Sequence, residues 1–379
     1  MKFFVQITVS ITLLASSAWF NKVFANECGH WPQWETFKTH FISRDGRVID
    51  LGSDKNITTS EGQSYGLFFA LLANDQESFD KLLNWTERHL SEGDLSARLP
   101  AWLWGKRDNG DYGILDSNPA SDSDLWIAYA LAEAGRVWQE RRYSVLAAVM
   151  AKRILKEETA YLPGLGLTLL PAPYGFELDN DVWRLNPSYM PDFILQHFVN
   201  LYPSQPWQEL VNSSLRVVTE SARKGASPDW VLYSAKKGFH YTLKHADIGN
   251  FNAIRSYLWA GMLAENAQNR AELLKALSPM SDKIVNRRSM PLNTFAKTGN
   301  VEKQGPIGFQ AAALPFLLAT NEQNTAEMLF QRVQAGLEHE LKNNYYSSVL
   351  ALFGTAYYQE RFSLTADGQV ITNWSTQCE

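Results

Sequence analysis

Helical segments of two kinds alternate along this chain. Residues 314–318 and 351–356 are apolar on nearly every side, whereas the segment 323–341 between them carries Glu327, Arg332, Glu338 and Glu340 on one face. A helix that is apolar all round must be buried all round, and an amphipathic helix is what can cover it. Apolar residues spaced three to four apart predict helices near 32–43, 59–74, 77–91, 121–142, 144–158 and 189–201, and again near 206–224, 250–266, 270–282, 308–319, 323–341 and 345–359. Short polar turns such as Asn74-Asp75-Gln76 and Thr320-Asn321-Glu322 join most of them in pairs. Two concentric layers follow, with six helical hairpins closed into a barrel whose chain ends meet. Residues 92–120, 161–188 and 226–249 are longer irregular segments. Small β-hairpins are predicted at 231–233 with 239–242 around Lys237-Gly238, and at 362–364 with 370–372 around Asp367-Gly368.

The N-terminus reads as a secretory signal peptide over residues 1–25. Lys2 precedes an apolar stretch, and Val23-Phe24-Ala25 offers a cleavage site. Gln6, Thr8, Ser10, Thr12, Ser16 and Ser17 interrupt that stretch, which makes it a poor anchor, and no later segment approaches the ~18–20 apolar residues of a membrane span. Residues 26–379 carry no linker-like tract and read as a single domain. Cys28 and Cys378 lie at opposite ends of it. In an oxidising compartment such a pair usually bonds, tying the termini of a closed barrel together; two unpaired terminal thiols are the alternative. Neither cysteine, nor His240 with His245, has metal-ligand spacing, so no metal or other cofactor is expected. A net charge of −5 argues against a nucleic-acid partner.

Chemistry concentrates at two helix mouths. Glu61 follows Ser60 in Thr59-Ser60-Glu61-Gly62-Gln63-Ser64-Tyr65-Gly66, and Asp122 and Asp124 follow Ser121 in Ala120-Ser121-Asp122-Ser123-Asp124-Leu125-Trp126. Each group has a plain structural role. Ser60 or Ser121 can cap, Gln63 can complete a capping box, and acids suit the first turn of a helix dipole. Two aspartates exceed what capping needs, however, and Gly62 and Gly66 each cost about 1 kcal/mol in a helix interior unless packing or a ligand requires them. With 13 Trp, 15 Tyr and 20 Phe in the chain, carboxylates at helix mouths point to sugar cleavage.

The run from Ala120 to Trp138 resembles the signature of glycoside hydrolase family 8, departing at Ser123, where the family has Ala or Gly. The segments 59–66, Leu99-Pro100-Ala101-Trp102-Leu103-Trp104-Gly105-Lys106 and Arg184-Leu185-Asn186-Pro187-Ser188-Tyr189 are similar to the branch of cellulases encoded beside bacterial cellulose synthase. The resemblance implies an (α/α)6 barrel and an inverting endo-β-1,4-glucanase. It also implies a periplasmic location, β-1,4-glucan chains as partners and an association with the cellulose synthase secretion machinery. Glu61 matches the family's general acid. Asp122 matches the aspartate placed at the sugar being cleaved. The family's general base departs: where Tyr-Asp-Ala-Ile-Arg is usual, this chain has Phe251-Asn252-Ala253-Ile254-Arg255, and an amide cannot take a proton from water. Asp247 is the first candidate to replace it, with Asp179 and Asp181 behind. Arg255, placed with the substrate-binding residues, either pairs with a catalytic carboxylate or, as is usual for an Arg on a helix, is solvated or held in a structural ion pair. Asn252 and Asp124 are placed in the substrate-binding set with Trp104 and Tyr189, and Trp102, Tyr112, Trp183 and Trp230 either stack on sugars or anchor their loops. Two other readings stand beside this one. The protein is a cellooligosaccharide-binding accessory that has lost turnover, or a hydrolase of xylan or chitosan.

Overall fold

The computed structural model describes residues 30–178, 181–241 and 247–377. The segment read as a signal peptide, Cys28, Cys378, Asp179, Thr242 and His245 lie outside them.

Among the described residues the helices are α1 (Pro32–Phe41), α2 (Ser60–Leu72), α3 (Gln76–Leu90), α4 (Ser121–Val137), α5 (Arg141–Glu157), α6 (Asp192–Leu201) and α7 (Trp207–Ser221). They continue as α8 (Ala253–Gly261), α9 (Arg270–Leu277), α10 (Pro279–Arg287), α11 (Ile307–Ala319), α12 (Gln323–Asn343), α13 (Tyr345–Tyr358) and α14 (Asn373–Gln377). The chain is mostly helical, in two layers. Helices α2, α4, α8, α11 and α13 are buried nearly throughout, because their residues are apolar or small on every side. Helices α3, α5, α7 and α12 each bury one stripe and present charge outward. Inner contacts run α2 to α4, α4 to α6, α6 to α8, α8 to α11 and α11 to α13. They return to α2 through Phe353, whose ring lies 5.1 Å from Tyr65 and 4.7 Å from Phe69.

Trp126 of α4 fills the middle of this arrangement. Its ring meets those of Phe68, Trp259, Phe353, Tyr65, Phe193 and Tyr129 at centroid separations from 4.9 to 5.8 Å. Aromatic edges and faces at these distances add to area burial, and truncating such a side chain costs about 3–5 kcal/mol. The inner helices also approach by backbone: a Cβ on Gly354 of α13 would collide with the Ala311 carbonyl of α11.

The structure departs from the sequence reading at one helix and at three hairpins. The helix expected over 270–282 breaks at Pro279, which cannot continue α9 but starts α10 at its first position. Segments expected to be irregular hold hairpins, Leu103–Lys106 with Tyr112–Asp116 and Thr159–Leu162 with Gly166–Leu169. A third unexpected hairpin pairs Pro291–Phe295 with Val301–Gln304. The expected hairpins are present as Val231–Ser234 with Gly238–His240 and Phe362–Leu364 with Val370–Thr372. Several strands feed inner helices: Thr58–Thr59, paired with Leu103–Lys106, leads into α2, and Ile248–Gly249 leads into α8. No helix of the described residues is long and apolar enough to cross a membrane.

Candidate active site

The N-terminal ends of α2, α4, α8 and α13 bring Glu61, Asp122, Arg255 and Tyr346 into one cluster. Helix N-termini present unpaired amides and positive dipole ends, a favourable setting for carboxylates. At α2 the cap is Thr59 rather than Ser60, its hydroxyl accepting from the Gly62 amide at 3.0 Å. Gln63 forms no capping box. It accepts from the Val48 amide at 2.6 Å and donates to Gly46 O, Leu82 O and Thr86 Oγ1, bolting the preceding loop to α3. Gly62 has a packing reason: a Cβ there would lie 2.5 Å from the Tyr345 hydroxyl. At α4 the expected Ser121 cap is absent, the cap position being Ala120. Asp122 Oδ1 instead accepts from Ser123 N at 2.8 Å and Ser123 Oγ at 3.2 Å, so the departure at Ser123 adds a bond to Asp122.

Arg255 organises the cluster. Its Nη1 donates to Glu61 Oε2 and, at 3.3 Å, to the Tyr346 hydroxyl. Its Nη2 donates to Asp122 Oδ2 at 3.3 Å, Ser188 Oγ at 3.2 Å and Asn252 Oδ1 at 3.0 Å. The Tyr346 hydroxyl itself donates to the Phe251 carbonyl at 2.6 Å. Ser188 is set by Asn186, whose Oδ1 accepts from Ser188 N and Oγ, and its carbonyl accepts from Trp259 Nε1 at 3.0 Å. The Arg255 side chain is 3% exposed and that of Asp122 5%, while Glu61 keeps 21% toward the cleft. Burial pushes the Glu61 carboxyl up to about 7 against the opposing pull of Arg255, with the charge of Asp122 adding to the rise. Burial likewise raises Asp122, again opposed by Arg255.

A cavity of about 320 Å³ opens over this web, lined by Thr59, Glu61, Phe251, Asn252, Arg255 and Tyr346 among others. Past Phe251 a neighbouring hollow shares Asp50, Phe251, Tyr345 and Tyr346 with it and continues to Glu340, Asn343 and Asn344. Tyr189, its ring 5.7 Å from the Arg255 guanidinium carbon, adjoins Trp230 at 6.1 Å. Trp230 stacks on Phe176 and lies under the Arg184 guanidinium at 4.1 Å.

Of the residues singled out from sequence, Glu61, Asp122, Tyr189, Asn252 and Arg255 come together here. Others stand apart. Trp104 packs with Trp85, Tyr112 and Arg47 on the α3 side. Asp124 is fully buried and pairs its carboxyl with that of Glu158. Asp247 sits on the sheet edge, where its carbonyl accepts from Ala296 N and its Oδ2 from Lys297 N at 3.4 Å. Asp181 is exposed in a left-handed turn conformation. Trp183 is buried as a loop anchor, and Trp102 braces the entry to α2, its carbonyl accepting from Ser60 N. Sequence reasoning missed Tyr346, Ser188, Phe251 and Asp229. Asp229 Oδ1 accepts from the amides of Asn250, Asn252 and Ala253 at 2.7, 3.1 and 2.8 Å; its place between Pro228 and the already suspicious Trp230 was the available signal. Among the described residues no cluster of His, Cys, Asp and Glu could hold a metal ion.

A carboxyl held near neutrality, a second carboxyl beside it and an aromatic-walled cleft can protonate a departing oxygen and stabilise positive charge next to it, which is the chemistry of glycoside hydrolases. The chain belongs to glycosyl hydrolases family 8, whose family profile matches residues 5–360. It is similar to an endoglucanase of Escherichia coli (strain K12), 43% identical over 348 residues and covering 92% of each chain. It is likewise similar to an endoglucanase of Xanthomonas axonopodis pv. citri (strain 306), 42% identical over 352 residues, 93% of this chain and 91% of that one. The crystal structure of endo-1,4-D-glucanase from Vibrio fischeri ES114 superposes with a TM-score of 0.88 at 46% identity, covering 91% of this chain and 100% of that chain.

Proposed function

We infer that the protein is an endo-β-1,4-glucanase that cleaves cellulose-type chains with inversion, on one catalytic domain over residues 26–379. The observation that carries this reading is the Arg255 web, which holds a largely buried Glu61 at the cleft with its carboxyl pushed up to about 7. A general acid at neutral pH needs that poise. Glu61 donates its proton to the leaving oxygen. Asp122, buried beside it and held by Ser123 and Arg255, stabilises the oxocarbenium character of the sugar. Tyr189 and Trp230 form an aromatic wall next to the cluster, and the hollow beyond Phe251 lengthens the groove as an internal cut requires. The closed run of inner contacts supports an (α/α)6 barrel. The signal-like N-terminus supports export to the periplasm, and likeness to the cellulases encoded beside cellulose synthase supports a role at that secretion machinery. The test is digestion of cellohexaose followed by proton NMR: internal cleavage with α-anomer appearing first is expected, and first-formed β-anomer excludes inversion.

Asn252 favours one second reading, a glucan-binding accessory without turnover. It predicts cellohexaose binding by calorimetry with no new reducing ends.

A further inference from the structure

Inversion needs a group that removes a proton from water, and the cavity presents an amide where that group is expected. The orientation of Asn252 sharpens the problem. Arg255 only donates hydrogen bonds, so the oxygen of Asn252 must be the atom facing it at 3.0 Å. That leaves Nδ2, a donor, for the cavity that Asn252 lines. A water there gains a hydrogen bond from Asn252 but no acceptor for its proton. Asp50 also lines the cavity, but it is bridged to Ile57 on the segment that delivers Glu61, the side of the acid. Asp247 sits at the sheet edge beside the Lys297 amide, and among the described residues no bond joins it to Asn252 or Arg255.

Resting on the glucanase reading above, we propose that Asp229 is the general base of this enzyme. Its Oδ1 is clamped by three amides at the mouth of α8, including that of Asn252 itself, which fixes the carboxyl against the residue that faces the cavity. Among the described residues its hydrogen bonds all fall on Oδ1, and the residue is partly exposed. Trp230, next in the chain, has its ring 6.1 Å from that of Tyr189, which in turn adjoins the Arg255 guanidinium. Arg255 brings the charge that bears on it, and the neutral hydroxyls of Tyr346 and Tyr257 are the other ionisable groups near it. Burial raises its proton affinity despite the three amides and Arg255, which suits a base. In the step, a water held by Asn252 Nδ2 attacks the anomeric carbon as its proton passes to Asp229 Oδ2. The bond from that carbon to the glycosidic oxygen breaks, and the departing oxygen takes the proton of Glu61. The products are a new 4-hydroxyl and an α-configured reducing end.

The test compares wild type, Glu61→Gln, Asp229→Asn, Asp229→Ser, Asp247→Asn and Asp50→Asn on carboxymethyl-cellulose and cellohexaose, with and without azide. Asparagine and serine both keep an acceptor for the three amides, so either variant tests the base if the other fails to fold. Expected is a fall in kcat of about 10²–10⁴-fold in both Asp229 variants, loss of the acid limb of the pH profile, and formation of α-glucosyl azide, because azide attacks without a proton to lose. In the Asp229→Asn background, Asn252→Asp is expected to regain at least tenfold. Wild-type kcat in the folded Asp229 variants, or a fall with neither azide product nor altered acid limb, overturns the assignment, as does an azide-rescued loss confined to Asp247→Asn or Asp50→Asn. An inactive wild type sinks the glucanase reading and this assignment with it; an active wild type with indifferent Asp229 variants sinks this assignment alone.

Discussion

Arg255 is the residue on which the site depends, since five side chains from four other segments and its own helix mouth converge on one guanidinium. A lysine can supply charge but cannot span those acceptors. Arg255→Lys is therefore expected to lower kcat at least about tenfold through misplacement of Glu61, with a smaller change in KM, in steady-state assays on a soluble cellooligosaccharide. The pH dependence follows from Glu61. A general acid works protonated, so its contribution is complete well below its raised value and declines as pH rises through about 7. A pH–rate profile of kcat/KM should show that alkaline limb, and a profile flat from pH 6 to 9 would contradict the role. At this scale the sequence was half legible. Glu61, Asp122, Ser188 and Arg255 stood in recognisable segments, but the bonds of Ser188, Tyr346 and Asp229 join groups that are apart in the chain, and spacing along one sequence cannot reveal such pairings.

Helix type, order and approximate ends were legible because apolar spacing is a strong signal wherever one face, or every face, must be buried. What escaped was local. The caps were assigned to serines by type, whereas Thr59 and a bare Ala120 occupy those positions, because the strand leading into α2 fixes which residue is last extended. The buried Asp124–Glu158 pair escaped too, since nothing in the helix pattern shows two acids facing each other across α4 and the end of α5. Burial raises both carboxyls well above their ordinary values. Their folded-state affinity for protons exceeds that of the unfolded chain, so the pair's contribution is complete below the ordinary carboxyl range and is lost as pH rises through the folded values. Asp124→Asn should accordingly flatten the loss of Tm on the alkaline side, measured by calorimetry from pH 6 to 9; an unchanged slope would rule out that contribution. The close approach of α11 and α13 makes a second prediction. Gly354→Ala should destabilise by about 1–3 kcal/mol, as overpacking does, read as a lower denaturation midpoint at constant m.

Across the whole molecule, the C-terminal hairpin acts as a latch on the inner layer. The Tyr129 hydroxyl donates to Gly368 O at 2.6 Å, Arg136 Nη2 to Val370 O at 2.6 Å, and Val370 N to Glu133 Oε2 at 2.6 Å. Phe362, Leu364 and Val370 are buried beneath it. Ending the chain at Glu360 strips the Val370 amide from the buried Glu133 and the carbonyl acceptors from Tyr129 and Arg136, and charged hydrogen bonds are worth about 1.5–3 kcal/mol each. Thermal unfolding should fall by many degrees, and an unchanged Tm would show the latch to be ornamental. The same closed layering sets inner-helix N-termini around one cleft, which is how residues 61, 122, 255 and 346 meet. The central claim is that this cleft cuts β-1,4-glucan with Glu61 as its acid. Viscosity and reducing ends on carboxymethyl-cellulose test it most directly, with purified wild type beside Glu61→Gln. A rapid viscosity drop with few new ends in wild type, and a loss of about 10²–10⁴-fold in the folded variant, is the predicted result; equal turnover by both, or none by wild type, contradicts it.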